Sequence, residues 1–287
     1  MVKIQTGSLP IVRNVKDLRK RVSAWHAEGL AVALVPTMGA LHEGHMALVR
    51  KAVNSADRVV TSIFVNPRQF ASDEDLETYP SSEVEDWDKL NATNVDLMYV
   101  PNSSTMYPDE FQTSIKVSGV SQGLCSDSRP EFFEGVATVI SKLLLQCCAD
   151  IAVFGEKDYQ QLALVRRLVT DLDIPVEIVS VPTIRDRDGL ALSSRNAYLT
   201  DRERQIAPLL FHKLTDAAVA IAAGDEMQRC LSEVRQTLLN AGFSAVDYVE
   251  VREAKSLTPV SAYGRPARIL CAAHLGRARL IDNVPIP

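Results

Sequence analysis

An apolar run, Ala31-Val32-Ala33-Leu34-Val35, leads through a turn into Met46, Leu48, Val49, Ala52 and Val53 at helical spacing, and then into a β-branched run from Val59 to Val65. Strand, helix and strand in that order leave little freedom, because two such strands pair in parallel through a right-handed crossover. The turn between the first strand and the helix reads Pro36-Thr37-Met38-Gly39-Ala40-Leu41-His42-Glu43-Gly44-His45. Two histidines three residues apart, with a glycine between, are therefore expected on the first turn of a helix at the carboxyl end of a strand. Open α/β sheets bind ligands there, and unsatisfied backbone N–H groups favour anions.

The remaining pattern extends this unit. Val15, Leu18, Val22 and Trp25 predict an amphipathic helix over 13–28. Asn66-Pro67 stops the second strand, and the acidic segment through Pro80 reads as a loop before a helix with Ser82-x-x-Glu85 as capping box. A strand is predicted from Val95 to Val100, and a short one near Thr113 to Val117 within a long loop of Ser, Pro and Gly. Helix from Gly135, strand at Ile151–Phe154, helix through Leu162 and Val169, and strand at Val176–Val181 complete the alternation. The fold class is α/β: a Rossmann-like, doubly wound, mostly parallel sheet over residues 1–184. Composition then shifts at Arg185-Asp186-Arg187-Asp188-Gly189, and Thr200-x-x-Glu203 caps a helix predicted to run through Leu209, Leu214 and Val219. A second helix near 225–240 and strands near 246–251, 267–273 and 277–281 make residues 185–287 a smaller α+β domain.

Composition excludes several classes. A net charge of −5 with no long basic run gives no reason to expect nucleic acid or an anionic membrane as partner. The chain has no apolar stretch of membrane-spanning length and no signal-type run after Met1, so a cytoplasmic protein is expected. Five cysteines, Cys125, Cys147, Cys148, Cys230 and Cys271, lack metal-ligand spacing and read as reduced, packed thiols.

Four stretches carry more polar chemistry than a fold of this kind needs. His42 and His45 lie at i and i+3, whereas zinc proteases place theirs at i and i+4, and no third ligand is evident; no metal site is assigned. Gly44 instead lets a phosphate approach the backbone while both imidazoles donate to it, or the pair is simply two surface histidines. Gly155-Glu156-Lys157-Asp158 offers a point charge for phosphate oxygens and a helix N-cap in Asp158, or a capped turn with a solvated lysine. Ser193-Ser194-Arg195-Asn196 supplies two hydroxyls, a guanidinium fork and an amide, or an ordinary loop. Gln69 and Gln161 are amides suited to orienting a small polar ligand, or surface glutamines. Neither Gly-x-Gly-x-x-Gly nor a Walker-type Gly-Lys-Ser/Thr is present, so a nucleotide's phosphates would need these histidines, the lysine and the serine–arginine loop.

His42-x-Gly-His45 after a strand resembles the signature of the HxGH nucleotidyltransferase superfamily. Together with Ser62-Ile63-Phe64-Val65-Asn66-Pro67, Phe154 through Leu162, and Leu192-Ser193-Ser194-Arg195-Asn196, it resembles the pantothenate synthetase (pantoate–β-alanine ligase) family, in order and over essentially the whole chain. The resemblance implies a ligase in which the carboxylate of (R)-pantoate attacks the α-phosphorus of ATP, giving a pantoyl adenylate and pyrophosphate. The amine of β-alanine then takes the acyl group and releases AMP.

On this resemblance His42 and His45 contact the triphosphate, and Lys157 the phosphate oxygens whose charge grows in the first transition state. Ser193, Ser194 and Arg195 hold the leaving pyrophosphate. Gln69 and Gln161 bind pantoate's polar groups, with Met38, Val136, Val139 and Leu143 on its apolar side. Gly155 and Asp158 contact the nucleoside, and Met38, Gly44 and Ile184 also fall among the ATP-binding positions. Mg²⁺ is expected with ATP as co-substrate. A homodimer is implied, and the small domain or the loop near 101–130 is expected to close over the site. The chain departs from the family at Glu131-Phe132-Phe133-Glu134, where Gly/Thr-His-Phe-Arg often stands before Gly135, and at Ser81, where arginine is common. The rival readings are another HxGH nucleotidyltransferase, which would leave AMP or CMP in its product, and a catalytically silent nucleotide-binding protein.

Overall fold

The computed structural model describes residues 8–70, 76, 79–261, 264 and 266–287. The extreme amino terminus and most of the acidic segment before Pro80 lie outside these residues. The chain runs through β1 (Ile11–Val12), α1 (Val15–Ala27), β2 (Val32–Thr37), α2 (Glu43–Val53), β3 (Arg58–Ile63), α3 (Glu83–Asn91) and β4 (Leu97–Tyr99). Two short helices, α4 (Ser103–Met106) and α5 (Cys125–Ser128), precede α6 (Phe132–Cys147), β5 (Ile151–Gly155), α7 (Tyr159–Asp171) and β6 (Glu177–Val181). The carboxyl-terminal part contains α8 (Asp201–Ile206), α9 (Leu209–Ala222), α10 (Met227–Ala241), β7 (Ala245–Glu253), β8 (Ala267–Leu275) and β9 (Ala278–Pro285).

Backbone contacts divide the chain into two compact units. One comprises Met1–Val117, Glu131–Glu156 and Leu164–Val181; the other comprises Ser118–Pro130, Lys157–Ala163 and Pro182–Pro287. A single cut at 184/185 describes the change in composition, whereas the second unit also takes in two short segments from earlier in the chain.

The first unit holds, among the described residues, a six-stranded parallel sheet in the order β1-β4-β3-β2-β5-β6. From β2 the chain moves outward to β3 and β4, and from β5 it moves the other way to β6. The order therefore reverses between β2 and β5, and the crevice at their carboxyl ends is the topological switch point. Val32 to Val35 are wholly buried, as in a strand covered on both faces. α1 and α6 pack on each other and on β2, while α2 packs across β2, β3 and β5.

Strand β2 continues through Pro36, two residues beyond the apolar run. Pro36 lies opposite Ser62, but β5 pairs with β2 only at Ala33 and Leu34, so the missing N–H costs no ladder bond on that side. The strand expected near Thr113 to Val117 is absent. Ile115 N–H donates instead to Thr138 Oγ1 on α6 at 3.0 Å, a side-chain partner in place of a neighbouring strand. Ser82 accepts from Glu85 N–H at 3.3 Å, which is one half of the expected capping box.

In the second unit β7, β8 and β9 form an antiparallel sheet against which α9 and α10 pack. Their shared core includes Leu214, Leu238, Ile269 and Cys271. Thr200 and Glu203 form both halves of the predicted capping box. The helix it starts is shorter than expected: Pro208, which has no N–H to donate, separates α8 from α9. All five cysteines are free thiols; Cys147 is buried and Cys148, the left-handed C-cap of α6, is exposed.

The first turn of α6 packs closely on the Asn66–Gln69 turn. A Cβ on Gly135 would stand 2.0 Å from the Arg68 carbonyl oxygen, which is backbone and has no room to yield. Gly135→Ala should therefore destabilise the chain by about 1–3 kcal/mol, as overpacking does, measured as a lowered urea midpoint at unchanged slope.

Candidate active site

The histidine motif is built as a helix cap. His42 is not on the first turn, as the sequence spacing suggested, but is itself the N-cap of α2, with extended φ of −129°. Its Nδ1 accepts from Gly44 N–H at 3.1 Å, and its ring also serves the N–H of His45. His45 Nδ1 in turn accepts from His42 N–H at 3.3 Å, completing a capping box made of two imidazoles. Because both Nδ1 atoms are acceptors, the neutral rings carry their protons on Nε2. The ring centroids are 4.1 Å apart, so the two Nε2–H donors belong to one compact pair at the carboxyl end of β2.

Two residues of α3 that sequence reading passed over hold the loop before this cap. The Asp86 carboxylate accepts from Ala40 N–H at 2.9 Å and from Leu41 N–H at 2.7 Å, and Lys89 Nζ donates to the Leu41 carbonyl at 2.7 Å. A Cβ on Gly39, whose φ is +84°, would meet Asp86 Oδ2 at 2.8 Å, so glycine is needed for both space and conformation. Burial raises the Asp86 pKa, opposed by the two backbone N–H groups and the Lys89 charge. The signal was there in outline: Asp86 and Leu90 lie four apart and are both buried, which puts an acid on the apolar face of α3.

Met38 and Gln69 meet directly, with Gln69 Nε2 3.0 Å from Met38 Sδ. Gln69 is buried, and Asn66 Nδ2 donates to its Oε1 at 3.0 Å and to the Gly135 carbonyl at 3.2 Å. Tyr107 donates to Asn66 Oδ1 at 2.8 Å; burial pushes its hydroxyl up to about 12, so it remains a donor at neutral pH. Arg68 lies over the rings of Tyr107 and Phe111, at 4.9 and 5.0 Å. Val136, Val139 and Leu143 are buried along α6, whose first turn packs on the Gln69 turn. Of the departures from the family pattern, Glu134 is in the first turn of α6, where a carboxylate suits the helix dipole, and Ser81 is exposed before α3.

Gly155 ends β5 next to β2. A Cβ there would meet Leu48 Cδ2, at 3.9 Å, so nothing among the described residues demands glycine at this position. The turn continues as a single 3-10 turn, Glu156–Asp158, in which Lys157 Nζ lies 3.8 Å from Asp158 Oδ2.

Within the second unit Lys157, Ser193 and Asn196 line one small cavity, together with Phe211, Leu280 and Asp282. Ser193 caps the 3-10 turn Ser194–Tyr198, accepting from Arg195 N–H at 3.3 Å. Asn196 Nδ2 donates to the Ala191 carbonyl at 3.0 Å, while its buried Oδ1 has no hydrogen-bond partner among the described residues. Ile184 accepts from Leu192 N–H across the neck of the preceding loop. Gln161 is half-buried on α7; its neighbour Gln160 is engaged by the backbone of Val120, Gly123 and Cys125. Lys157 and Ser193, distant in sequence, are thus brought together. Among the described residues no group of three or more His, Cys, Asp and Glu side chains gathers as a metal-ligand set, and no helix is long and apolar enough to cross a membrane.

Comparison with known proteins gives one consistent result. The family described as pantoate-beta-alanine ligase matches residues 10–285. The pantothenate synthetase of Paramagnetospirillum magneticum is 54% identical over 276 residues, covering 96% of this chain and 97% of that protein. The pantothenate synthetase of Chelativorans is 51% identical over 279 residues, covering 97% and 98%. Among solved structures, the pantothenate synthetase of Thermus thermophilus superposes with a TM-score of 0.89 at 40% identity, over 97% of this chain and 99% of that one. The pantoate-beta-alanine ligase of Francisella tularensis, complexed with beta-gamma ATP and beta-alanine, gives 0.80 at 33% identity over 96% and 97%.

The clamp on the histidine loop can be tested through its titration. Because the folded pKa of Asp86 is raised, the folded state binds its proton more tightly, and this group adds stability as pH falls toward its unfolded value of about 3.9. The unfolding free energy of wild type minus that of Asp86→Asn should therefore grow as the pH is lowered from about 7 to about 4, measured by urea titration at each pH. A difference that shrinks toward acid would reverse the assigned sign.

Proposed function

The chain belongs to the pantoate–β-alanine ligase family, and from that membership we propose that it joins (R)-pantoate to β-alanine through a pantoyl adenylate, releasing pyrophosphate and then AMP. The observation that carries this reading is the imidazole pair: both rings accept backbone N–H groups through Nδ1 at the cap of α2, which makes Nε2–H the ring donor of each at the carboxyl end of β2, where a helix N-terminus favours an anion. The Francisella relative, complexed with beta-gamma ATP and beta-alanine, supports two of these three substrates.

The chemistry needs no protein nucleophile. Attacking carboxylate and α-phosphate are both anionic, so the task is to cancel repulsion, align the reactants and stabilise the charge that develops at phosphorus. His42 and His45 donate to the triphosphate, assisted by the positive end of α2. Lys157 neutralises phosphate oxygens in the transition state, and Ser193, Ser194 and Arg195 take the leaving pyrophosphate. Gln69 and Gln161 bind pantoate's hydroxyl and carboxylate groups, with Met38, Val136, Val139 and Leu143 as the apolar side of its site. Gly155, Asp158 and Ile184 contact the nucleoside, and Gly44 lets the phosphates approach the α2 backbone. The spare room at Gly155 supports this, since the small residue serves an approaching ligand better than it serves the fold.

Imidazoles, an ammonium and a guanidinium do not suit a resident hard cation. Mg²⁺ belongs here to the ATP complex, held by phosphates and water. The homodimer implied by the resemblance and the cytoplasmic location expected from composition are part of this proposal.

Incubation with ATP, Mg²⁺, pantoate and β-alanine should yield AMP and an amide in equal amounts; a product that keeps the nucleotide would favour another nucleotidyltransferase, and no β-alanine-dependent product would defeat the reading. Lys157→Ala should slow pyrophosphate release about 10²–10³-fold, the loss typical of one preorganised charge-stabilising donor, in a single-turnover assay without β-alanine.

A further inference from the structure

The cavity that holds Lys157 is walled on one side by β9, an edge strand whose sequence Leu280-Ile281-Asp282-Asn283-Val284 places two polar residues in succession within an apolar run. Both are buried, Asp282 at 4% and Asn283 at 2% exposure, and neither is needed for the ladder, which uses backbone groups. Most polar side chains so deep are retained with partners, and both of these have them. Asp282 takes the Arg185 guanidinium in a two-pronged pair at 2.6 and 2.8 Å, and Arg185 lies over the Phe211 ring.

Asn283 has a different set of partners. Its Nδ2 donates to the backbone carbonyl of Lys157 at 3.0 Å. Its Oδ1 accepts from Arg268 Nε at 2.8 Å, and its own N–H donates to Asp282 Oδ1 at 2.7 Å. Arg268 in turn lies over the Tyr159 ring, 4.3 Å from its centroid, and Tyr159 donates to the Ala254 carbonyl at 3.0 Å. The residues on either side of Asp158 are therefore tied to the carboxyl-terminal sheet, one through its carbonyl and one through its ring.

We propose that Asn283 is a positioning residue for Lys157: its buried amide holds the Lys157 carbonyl and so fixes the direction in which the lysine leaves the Glu156–Asp158 turn. A lysine ammonium sits on a four-carbon stem with many rotamers, so its placement depends on a fixed base. Holding the carbonyl fixes the peptide plane between Lys157 and Asp158, and with it the Cα–Cβ vector of Lys157. A displacement of about 1 Å at a charge-stabilising group costs up to about 10²-fold in rate. This proposal rests on the reading that Lys157 acts on the phosphates of ATP.

The test is a double-mutant cycle on the full chain, read as single-turnover pyrophosphate release with saturating ATP, Mg²⁺ and pantoate. Asn283→Asp has nearly the same shape and keeps the acceptor for Arg268, but replaces the donor to the Lys157 carbonyl with a second acceptor. Asn283→Ser removes the reach without adding charge, so that a defect peculiar to a buried carboxylate does not decide the outcome. Both should lower the rate about 10–10²-fold while the pantoate KM stays within about twofold, and neither should lower it further when Lys157 is already Met. An equal loss in the wild-type and Lys157→Met backgrounds, or a loss that only follows the melting temperature, overturns the proposal. Wild-type rates in both Asn283 variants beside an impaired Lys157→Met overturn the positioning role alone. A fully active Lys157→Met overturns the reading of Lys157, and this proposal with it.

Discussion

A parallel strand buried on both faces has no side chain to offer a substrate, and β2 is such a strand, with Val32 to Val35 wholly enclosed. Whatever chemistry the sheet supports must come from the turns after its carboxyl ends, and the reversal of strand order opens a crevice between β2 and β5. The turn after β2 carries His42 and His45, and the turn after β5 begins with Gly155. The rest of the first unit can be understood as support for those turns.

The support is polar and comes at an energetic cost. Asp86 loses solvation to accept two loop N–H groups, and its raised pKa records that cost. Asn66 links the Gln69 side chain to the first turn of α6 and receives Tyr107. Such networks stabilise little in net terms when every member is satisfied, but they leave few alternative arrangements of the groups they hold. The same arrangement recurs in the second unit, where Asp282 and Asn283 commit a buried stretch of edge strand to Arg185 and the Lys157 carbonyl.

Most of the fold was legible in the chain itself. Periodicity marked the strands and helices of the sheet, and Thr200 with Glu203 announced α8, because these are local signals written over a few consecutive residues. The errors were equally physical. Thr113 to Val117 has strand-like residues but pairs with no strand among the described residues, and pairing is not a local property. Pro36 looked like the end of β2, yet the strand outlasts it because its other neighbour has already parted. The helix expected to run through Val219 breaks at Pro208, whose missing N–H is itself a local signal for a break.

The sequence alone determined the chemical inventory: two histidines around a glycine after a strand, a lysine turn, a serine–arginine loop, and the order in which they come. Only the tertiary structure decided how that inventory is held. It made His42 the cap rather than a member of its helix, set both ring protons on Nε2, and recruited Asp86 and Asn283 from segments with no motif of their own. The reason is that the His42–His45 cap closes over three residues, whereas the loop before it and the Lys157 carbonyl are held by partners 45, 46 and 126 positions away, and no local pattern encodes a hydrogen bond across such distances.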